Sequence, residues 1–445
     1  MIAKLRNKLN TDIHLKEILA GSAVTFVLKM SGMMLGYIVV LIISRQYGAE
    51  GIGMYNLTLS IMTFVAMIAA MGMNVSILRY VGQFNKSGEE GKLKLLYRYS
   101  VEMVVPFSLI LAGILYFFAE TIAINVFDNS VYEPALQFAA FIVPFMALQS
   151  ISVEYIRGLK KLKVSEFLRS VNRPMINIAL LFVIGIFVFD QMLPLYTLGV
   201  GIIVSTFIGL FYINKKIKYY EINNIYDFSR KELVSTSVPM LVTTIASFII
   251  GNISLVLLEI FSTTEEVGIF SVAFKIATFI SLSLVVVNSI SAPKFSELYW
   301  EKKYIQLQNV INHSSRLIFF SSFAMMIMLI VFNEKVMTLF GPKFVSGNMI
   351  LIILTIGQMI NAATGSVGVF LNMTGYQNVL RNIILFAAGI SILLNILLIQ
   401  SYGMFGAAIA TAVGTSILNI VAAIYVKRKL GFTTYFNLKS QTSEG

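Results

Sequence analysis

Apolar runs long enough to cross ~30 Å of hydrocarbon recur along the whole 445-residue chain. Inside a bilayer every backbone amide must find its partner within the protein, so runs of this length become helices. They predict helices 1 to 12 over residues 18–44, 52–78, 97–119, 134–156, 170–190, 194–214, 233–261, 267–291, 311–333, 348–371, 379–400 and 403–426. Only Asp190 to Leu193 separate helices 5 and 6, and helices 11 and 12 are joined as closely around Ser401 and Tyr402, so each pair is a tight hairpin. Composition agrees: 57% of residues are hydrophobic and 13% charged, against about 25% charged in a soluble chain. The predicted fold class is an all-α membrane protein.

Lys and Arg in the loops set the orientation, because positive loops stay on the cytoplasmic side. With a cytoplasmic N-terminus, 28 of the 34 Lys and Arg fall in cytoplasmic segments and three in outer loops (Arg45, Lys335 and Lys343). Lys29, Arg173 and Lys275 lie within helices. The alternation predicts a multi-pass plasma-membrane protein with both termini cytoplasmic. The net charge of +12 is then mostly topological, and no nucleic-acid partner is expected. The start of the chain, polar and basic to residue 17, lacks a secretory cleavage pattern, so the first apolar run reads as a retained helix.

Several chemistries are excluded. There is no cysteine and there are only two histidines, His14 and His313, so neither a thiolate site nor a clustered histidine metal site is expected. No cofactor is implied. The largest polar loop, about residues 214–232, is too short for a soluble catalytic domain. A transporter is expected rather than an enzyme.

The sequence around helix 2 repeats around helix 8. Glu50-Gly-Ile-Gly-Met-Tyr-Asn-Leu57 aligns with Glu265-Glu-Val-Gly-Ile-Phe-Ser-Val272 at an offset of 215, which places Asn56 on Ser271, Ser60 on Lys275 and Thr63 on Thr278. Helices 6 and 12 share the small-residue runs Gly201-Ser205-Gly209 and Gly406-Ala410-Gly414, a spacing that lets helices approach closely in lipid. The expected organisation is two pseudo-symmetric six-helix lobes, residues 1–221 and 222–445, related by an axis along the membrane normal.

Polar stripes nominate the site. Ser22, Thr25, Lys29, Gly32 and Gly36 share one face of helix 1. Helix 2 carries Asn56, Ser60, Thr63 and Asn74 and ends at Arg79. Helix 7 carries Thr236, Thr243, Ser247, Gly251 and Ser254, helix 8 carries Ser271, Lys275 and Thr278, and helix 10 carries Gln358, Asn361, Gly365, Gly368 and Asn372. These stripes are expected to line one wet cavity, although Ser, Thr and Gly stripes equally suit helix packing. Lys29 is the sharper signal, since an ammonium at mid-bilayer costs ~2.5–3.5 kcal/mol. Lys275 either joins it or snorkels to the outer surface. Arg79 can serve the site or anchor at headgroups. Arg173, in the first turn of helix 5, is read as a structural ion pair with Glu102 or Glu154. Pro106, Pro144 and Pro239 mark expected bends in helices 3, 4 and 7. The substrate-binding candidates are Lys29, Lys275, Arg79, Asn56, Thr63, Asn74, Asn252, Gln358 and Asn361.

Several segments resemble the polysaccharide-biosynthesis membrane proteins, the oligosaccharide-lipid flippases of the multidrug/oligosaccharidyl-lipid/polysaccharide exporter superfamily. They are Arg45-Gln-Tyr-Gly-Ala-Glu-Gly-Ile-Gly-Met-Tyr55, Gly72-Met-Asn-Val-Ser-Ile-Leu-Arg79, Ala292-Pro-Lys-Phe-Ser-Glu297, Leu339-Phe-Gly-Pro-Lys343, Leu371-Asn-Met-Thr-Gly375 and Tyr402-Gly-Met-Phe-Gly-Ala-Ala-Ile-Ala-Thr411. The resemblance implies an alternating-access cycle, a polyprenyl-pyrophosphate-linked oligosaccharide turned from the cytoplasmic to the outer leaflet, and a cationic cavity in which Lys29 holds a position often basic in relatives. Relatives often carry Asp where this chain has Asn252, which weakens a cation-coupling role there. A coupling ion, sodium or proton, stays open, and a monomer among membrane lipids is expected. The alternative is a cation-coupled multidrug or small-molecule exporter of the same superfamily. Such an exporter wants a carboxylate deep in its cavity, and here the mid-helix charge is Lys29. A lipid-II flippase is a closer rival but usually has two more helices.

Overall fold

The computed structural model describes residues 13–187, 189–222 and 228–437, with side chains from residue 24. Lys4, Arg6, Lys8 and Lys439, counted above among the basic cytoplasmic residues, lie outside the described residues, as do 223–227 of the long polar loop. Every regular element among the described residues is helical. Among the described residues, ten continuous helical runs are long and apolar enough to cross a membrane. Two of these are pairs of helices fused end to end, broken by a non-helical glycine, Gly48 (φ 70°, ψ −167°) and Gly403 (φ 52°, ψ −133°). The described residues thus form twelve membrane-length helices: α1 (13–47), α2 (49–69), α3 (Glu90–Phe117), α4 (Tyr132–Gly158), α5 (Leu162–Ile184), α6 (Leu193–Ile217), α7 (Arg230–Phe261), α8 (Thr264–Trp300), α9 (Tyr304–Val331), α10 (Pro342–Met373), α11 (377–402) and α12 (404–430).

The breaks fall at glycines rather than at prolines. Helices α3, α4 and α7 remain continuous through Pro106, Pro144 and Pro239. The predicted second helix, 52–78, instead stops at Ala69, turns through Met71 and Gly72, both with positive φ, and restarts as a separate helix, Met73–Ser87. The cause is a close crossing: a Cβ on Gly72 would lie 2.3 Å from the Ser237 carbonyl oxygen. Helix α5 ends at Ile184 before Gly185, not at 190. Helix α10 opens at Thr364–Ser366, with Gly365 at φ +70°. There the segment after α12 folds back. Phe436 N–H donates to the Ala363 carbonyl at 2.9 Å, Ser315 Oγ donates to the Thr434 carbonyl, and the Phe436 ring stacks on Phe319 at 3.8 Å.

The chain forms two compact units. The first holds the described residues up to 40 together with 61–125 and 129–242. The second holds 41–60, 126–128 and the described residues from 243. The apolar core of the second unit centres on Phe295, Leu298, Leu307, Ile311, Phe370 and Phe432, each ring or branched chain worth roughly 1.5–3 kcal/mol where water is its alternative.

Four inter-helix turns share one geometry. The chain leaves Met73–Ser87, α4, α8 and α10 through a left-handed residue: Gly88 (φ 72°), Lys160 (φ 61°), Lys302 (φ 58°) and Gly375 (φ 89°). The following N–H returns to a carbonyl five residues back: Glu89 to Phe84, Lys161 to Ile156, Lys303 to Leu298 and Tyr376 to Leu371. This is the Schellman arrangement, which satisfies carbonyls left open at a helix end.

Candidate functional site

In the second unit the repeat becomes a physical contact. The first turns of α2 and α8 cross at Gly53 and Gly268. A Cβ on Gly53 would lie 2.3 Å from the Thr264 oxygen, and one on Gly268 would lie 1.9 Å from the Ala49 oxygen. Ala49 and Thr264 are themselves matched by the 215 offset, so the contact is reciprocal. One turn on, Asn56 Nδ2 donates to Ser271 Oγ at 2.8 Å, joining two residues 215 apart. Thr263 caps α8 by accepting from Glu266 N–H at 3.3 Å. The Glu266 carboxylate accepts Met404 N–H at 3.1 Å, just past the Gly403 break, where a carboxylate meets the positive end of α12.

Lys275 is half-buried one turn beyond Ser271. Helix α8 then tightens into a 3₁₀ turn over Thr278–Ser281, and Ser281 Oγ donates to Gln358 Oε1 at 2.6 Å. Gln358 is buried on α10 and Asn361, one turn on, is half-buried. Asn252 Nδ2 donates back to the Phe248 carbonyl of its own helix at 3.1 Å.

In the first unit Lys29 is exposed and makes no hydrogen bond or ion pair among the described residues. Its stripe-mate Gly32 packs on α5, where a Cβ would lie 2.3 Å from the Ser170 oxygen. Part of the α1 stripe is therefore a packing face. Thr63 is half-buried and Arg79 exposed.

Asn74 has a different setting. The turn at Gly72 starts its helix, and Ser76 and Tyr80 pin that helix to α7 through Ser237 at 2.6 Å and Thr236 at 2.9 Å. Asn74 then borders a cavity of about 200 Å³ lined also by Gln149, Ser150, Glu154, Arg169 and Arg173. Arg169 rides on a π-helical turn, Phe167–Val171, a widening often found at functional positions. Arg169 and Arg173 are four apart and share a face. Glu154 pairs with Arg169 and lies 3.6 Å from Arg157. Glu102 pairs with Arg98 at 2.6 Å and with Arg230. Arg230 also covers the Tyr99 ring at 5.0 Å. Sequence reasoning reached Asn74 as a substrate-binding candidate and Glu154 with Arg173 as an ion pair, and it did not single out Gln149 or Arg169, which line the same cavity. The i, i+4 arginine pair was the available signal.

The comparisons with known proteins agree with this architecture. Residues 18–299 match the family described as polysaccharide biosynthesis protein. The chain is 22% identical over 427 residues to the probable low-salt glycan biosynthesis flippase Agl15 of Haloferax volcanii, covering 94% of this chain and 84% of that one. Among solved structures it resembles the lipid II flippase MurJ in an inward closed conformation, with TM-score 0.73 at 16% identity over 92% of this chain and 87% of that one. It also resembles an inward-facing multidrug resistance MATE family transporter of the MOP superfamily, with TM-score 0.70 at 14% identity over 92% and 98%. With a family match over more than half its length, the chain belongs to the polysaccharide biosynthesis protein family.

Proposed function

We propose that the protein is a flippase that turns a polyprenyl-pyrophosphate-linked oligosaccharide from the cytoplasmic to the outer leaflet by alternating access, for surface polysaccharide synthesis. It works in the plasma membrane with both termini cytoplasmic, and residues 1–221 and 222–445 are its two transporting lobes. Lys29, Lys275, Arg79, Asn56, Thr63, Asn74, Asn252, Gln358 and Asn361 serve the substrate's path.

The observation that carries this reading is the arginine-lined cavity beside Asn74. Guanidinium groups held among apolar helices suit an anionic cargo. A cation exporter would place its carboxylate free of such neighbours, whereas Glu154 is paired with Arg169. An inside-negative potential also favours anion export by ~2.3 kcal/mol per charge per 100 mV.

The test is deletion of the gene followed by mass spectrometry of lipid-linked glycans. Accumulation of one such glycan on the cytoplasmic leaflet is expected. No accumulation, with altered drug sensitivity instead, sinks the flippase reading in favour of a multidrug exporter.

A further inference from the structure

The segment that follows α12 does not leave the fold at the helix end. Gly431 (φ 77°) turns the chain, and residues 432–437 run back along α9 in non-helical form. Phe432 is buried in the apolar core of the second unit, with its ring 5.4 Å from that of Phe370. One side chain holds both backbone groups of Thr433: its N–H donates to Gln308 Oε1 at 2.9 Å, and its carbonyl accepts from Gln308 Nε2 at 3.0 Å. The Thr434 carbonyl accepts from Ser315 Oγ, and the Asn437 carbonyl accepts from Arg316 Nε at 3.2 Å. The Phe436 ring stacks on Phe319 and meets Phe320 edge-on at 5.5 Å. From Gln308 to Phe319 the segment climbs about 16 Å along α9. Non-helical backbone at membrane depth persists only where protein covers it and satisfies its polar groups, and α9 does both.

The segment ends on the defect in α10. Between Ala363 and Val367 that helix is open. In a continuous helix the Ala363 carbonyl would point along the axis to the Val367 N–H. Here it accepts from Phe436 N–H at 2.9 Å. The Thr434 oxygen fills the notch at Gly365, where a Cβ would lie 2.3 Å from it. The docked segment and a closed α10 therefore compete for one carbonyl and one space. Docking also has an opposing cost. Thr434 Oγ1 and Ser366 Oγ are buried at this contact with no hydrogen-bond partner among the described residues, and burial without a partner is unfavourable. A segment held by several bonds and opposed by two buried hydroxyls suits a reversible contact.

We propose that residues 431–437 are a strap that switches α10 between two forms, broken while the strap is docked and continuous once it leaves. Gln358 and Asn361 lie on α10 one to two turns before the break, so the switch changes the direction of Val367–Met373 relative to them. Its service to transport rests on the flippase reading above. The switch itself rests on the contacts of the strap with α9 and α10 alone. Linkage makes it reciprocal: whatever disfavours the break loosens the strap, and whatever loosens the strap disfavours the break.

The test is hydrogen–deuterium exchange, read by mass spectrometry, on the purified full chain in lipid nanodiscs. Phe436→Ala removes the ring that stacks on Phe319 and should speed exchange over residues 431–437 at least tenfold. Over residues 364–368 the same variant should exchange severalfold more slowly, because the released helix closes. Gly365→Ala strains the left-handed turn and crowds the Thr434 oxygen, and should give the same opposed pattern from the other side. Faster exchange over both segments in either variant would make the strap ordinary packing, and overturns the proposal. So does unchanged exchange over 364–368 in a chain whose strap is loosened. The chain has no cysteine, so Ser315→Cys with Thr434→Cys supplies the only two thiols. Bridging them with a short cross-linker in the Phe436→Ala chain should return exchange over 364–368 to the wild-type rate, and failure to do so also overturns the proposal. In the deletion strain, a Gly365→Ala chain with the opposed pattern should leave lipid-linked glycan accumulating. Clearance at the wild-type rate overturns the strap's part in transport and leaves the switch. No accumulation in the deletion strain itself removes the flippase reading and leaves the switch to the exchange measurement.

Discussion

Within residues 73–187 the chain leaves its helices through left-handed residues at Gly88 and Lys160, and within residues 282–430 it does so at Lys302 and Gly375. The backbone is the same at all four places, down to the N–H that returns five residues. The residues are exchanged crosswise: glycine where the other half has lysine, and lysine where the other half has glycine. Turn geometry is held by the helix ends it must satisfy, and the side chain is held only weakly. The start of α2 and the start of α8 behave in the opposite way. There the close packing is on backbone atoms, and glycine occurs on both sides. Beyond that crossing the two helices diverge, α2 breaking at Gly72 and α8 tightening into a 3₁₀ turn at Thr278–Ser281.

The largest expected effect is at the crossing. Gly53→Leu and Gly268→Leu each place a Cβ within 2.3 Å and 1.9 Å of a carbonyl oxygen, and a backbone oxygen cannot rotate away. Each should cost more than the roughly 1–3 kcal/mol of ordinary overpacking, seen as loss of monodisperse protein on size exclusion. Gly113→Ala, with nothing within 4 Å of its Cβ, should instead gain up to ~1 kcal/mol of helix propensity. Equal behaviour of the three variants would break the contrast between the crossing and an open helix face.

That crossing shows what the sequence can reveal and why. The apolar runs predicted all twelve helices because a bilayer admits few alternatives to a helix of that length. The 215 offset matched Asn56 with Ser271, and the structure joins them by a hydrogen bond. The break at Gly72 was hidden, because residues 52–78 read as one apolar run and its cause is the backbone of α7, which lies more than 160 residues away in sequence. The cavity was hidden for the same reason. Asn74, Glu154 and Arg169 come from three separate helical segments, and no local pattern records that they meet. Arg169 looked like a loop charge because it lies among basic residues, and the π-helical turn that carries it has no periodic signature.

A smaller effect is expected one turn past the crossing. Asn56→Ala and Ser271→Ala should each destabilise the second unit by about 1 kcal/mol, with a double-mutant coupling near ~0.6 kcal/mol, the usual size for hydrogen bonds between membrane helices. Thermal unfolding of the four proteins measures it. A coupling of zero would mean that the matched pair contributes nothing beyond its two separate contacts.

The crosswise turns make a finer test. A non-glycine residue in the left-handed region costs roughly 1–2 kcal/mol, and glycine loses about 0.4–1 kcal/mol of that advantage through its freer unfolded chain. Lys302→Gly and Lys160→Gly should therefore each gain about 0.5–1 kcal/mol, and Gly88→Lys should lose a similar amount. The Cβ of Gly88 would have nothing within 4 Å, so sterics with neighbours do not intervene. A gain at Lys302 without a loss at Gly88 would show that the two halves hold their turns by different means.

The smallest effect concerns charge at the turn that follows Met73–Ser87 and at its counterpart after α8. Lys92 and Ser87 hold the Glu89 carboxyl below its ordinary value, and Lys303 does the same for Glu301. Glu301 in turn raises the Lys303 ammonium. A depressed carboxyl contributes stability that is fully present above its unfolded value of 4.5 and is lost as pH falls through its lower folded value. Between pH 6 and pH 8 neither carboxyl should therefore contribute any change in stability. Below about pH 4.5 wild type should lose slightly more stability than Glu89→Gln or Glu301→Gln, by the same small margin in both, because both carboxyls are solvent-exposed and screened. Unfolding midpoints taken from pH 3.5 to pH 8 at low and high salt measure the margin. A difference confined to one variant would mean that the two turns share a backbone but not an electrostatic setting.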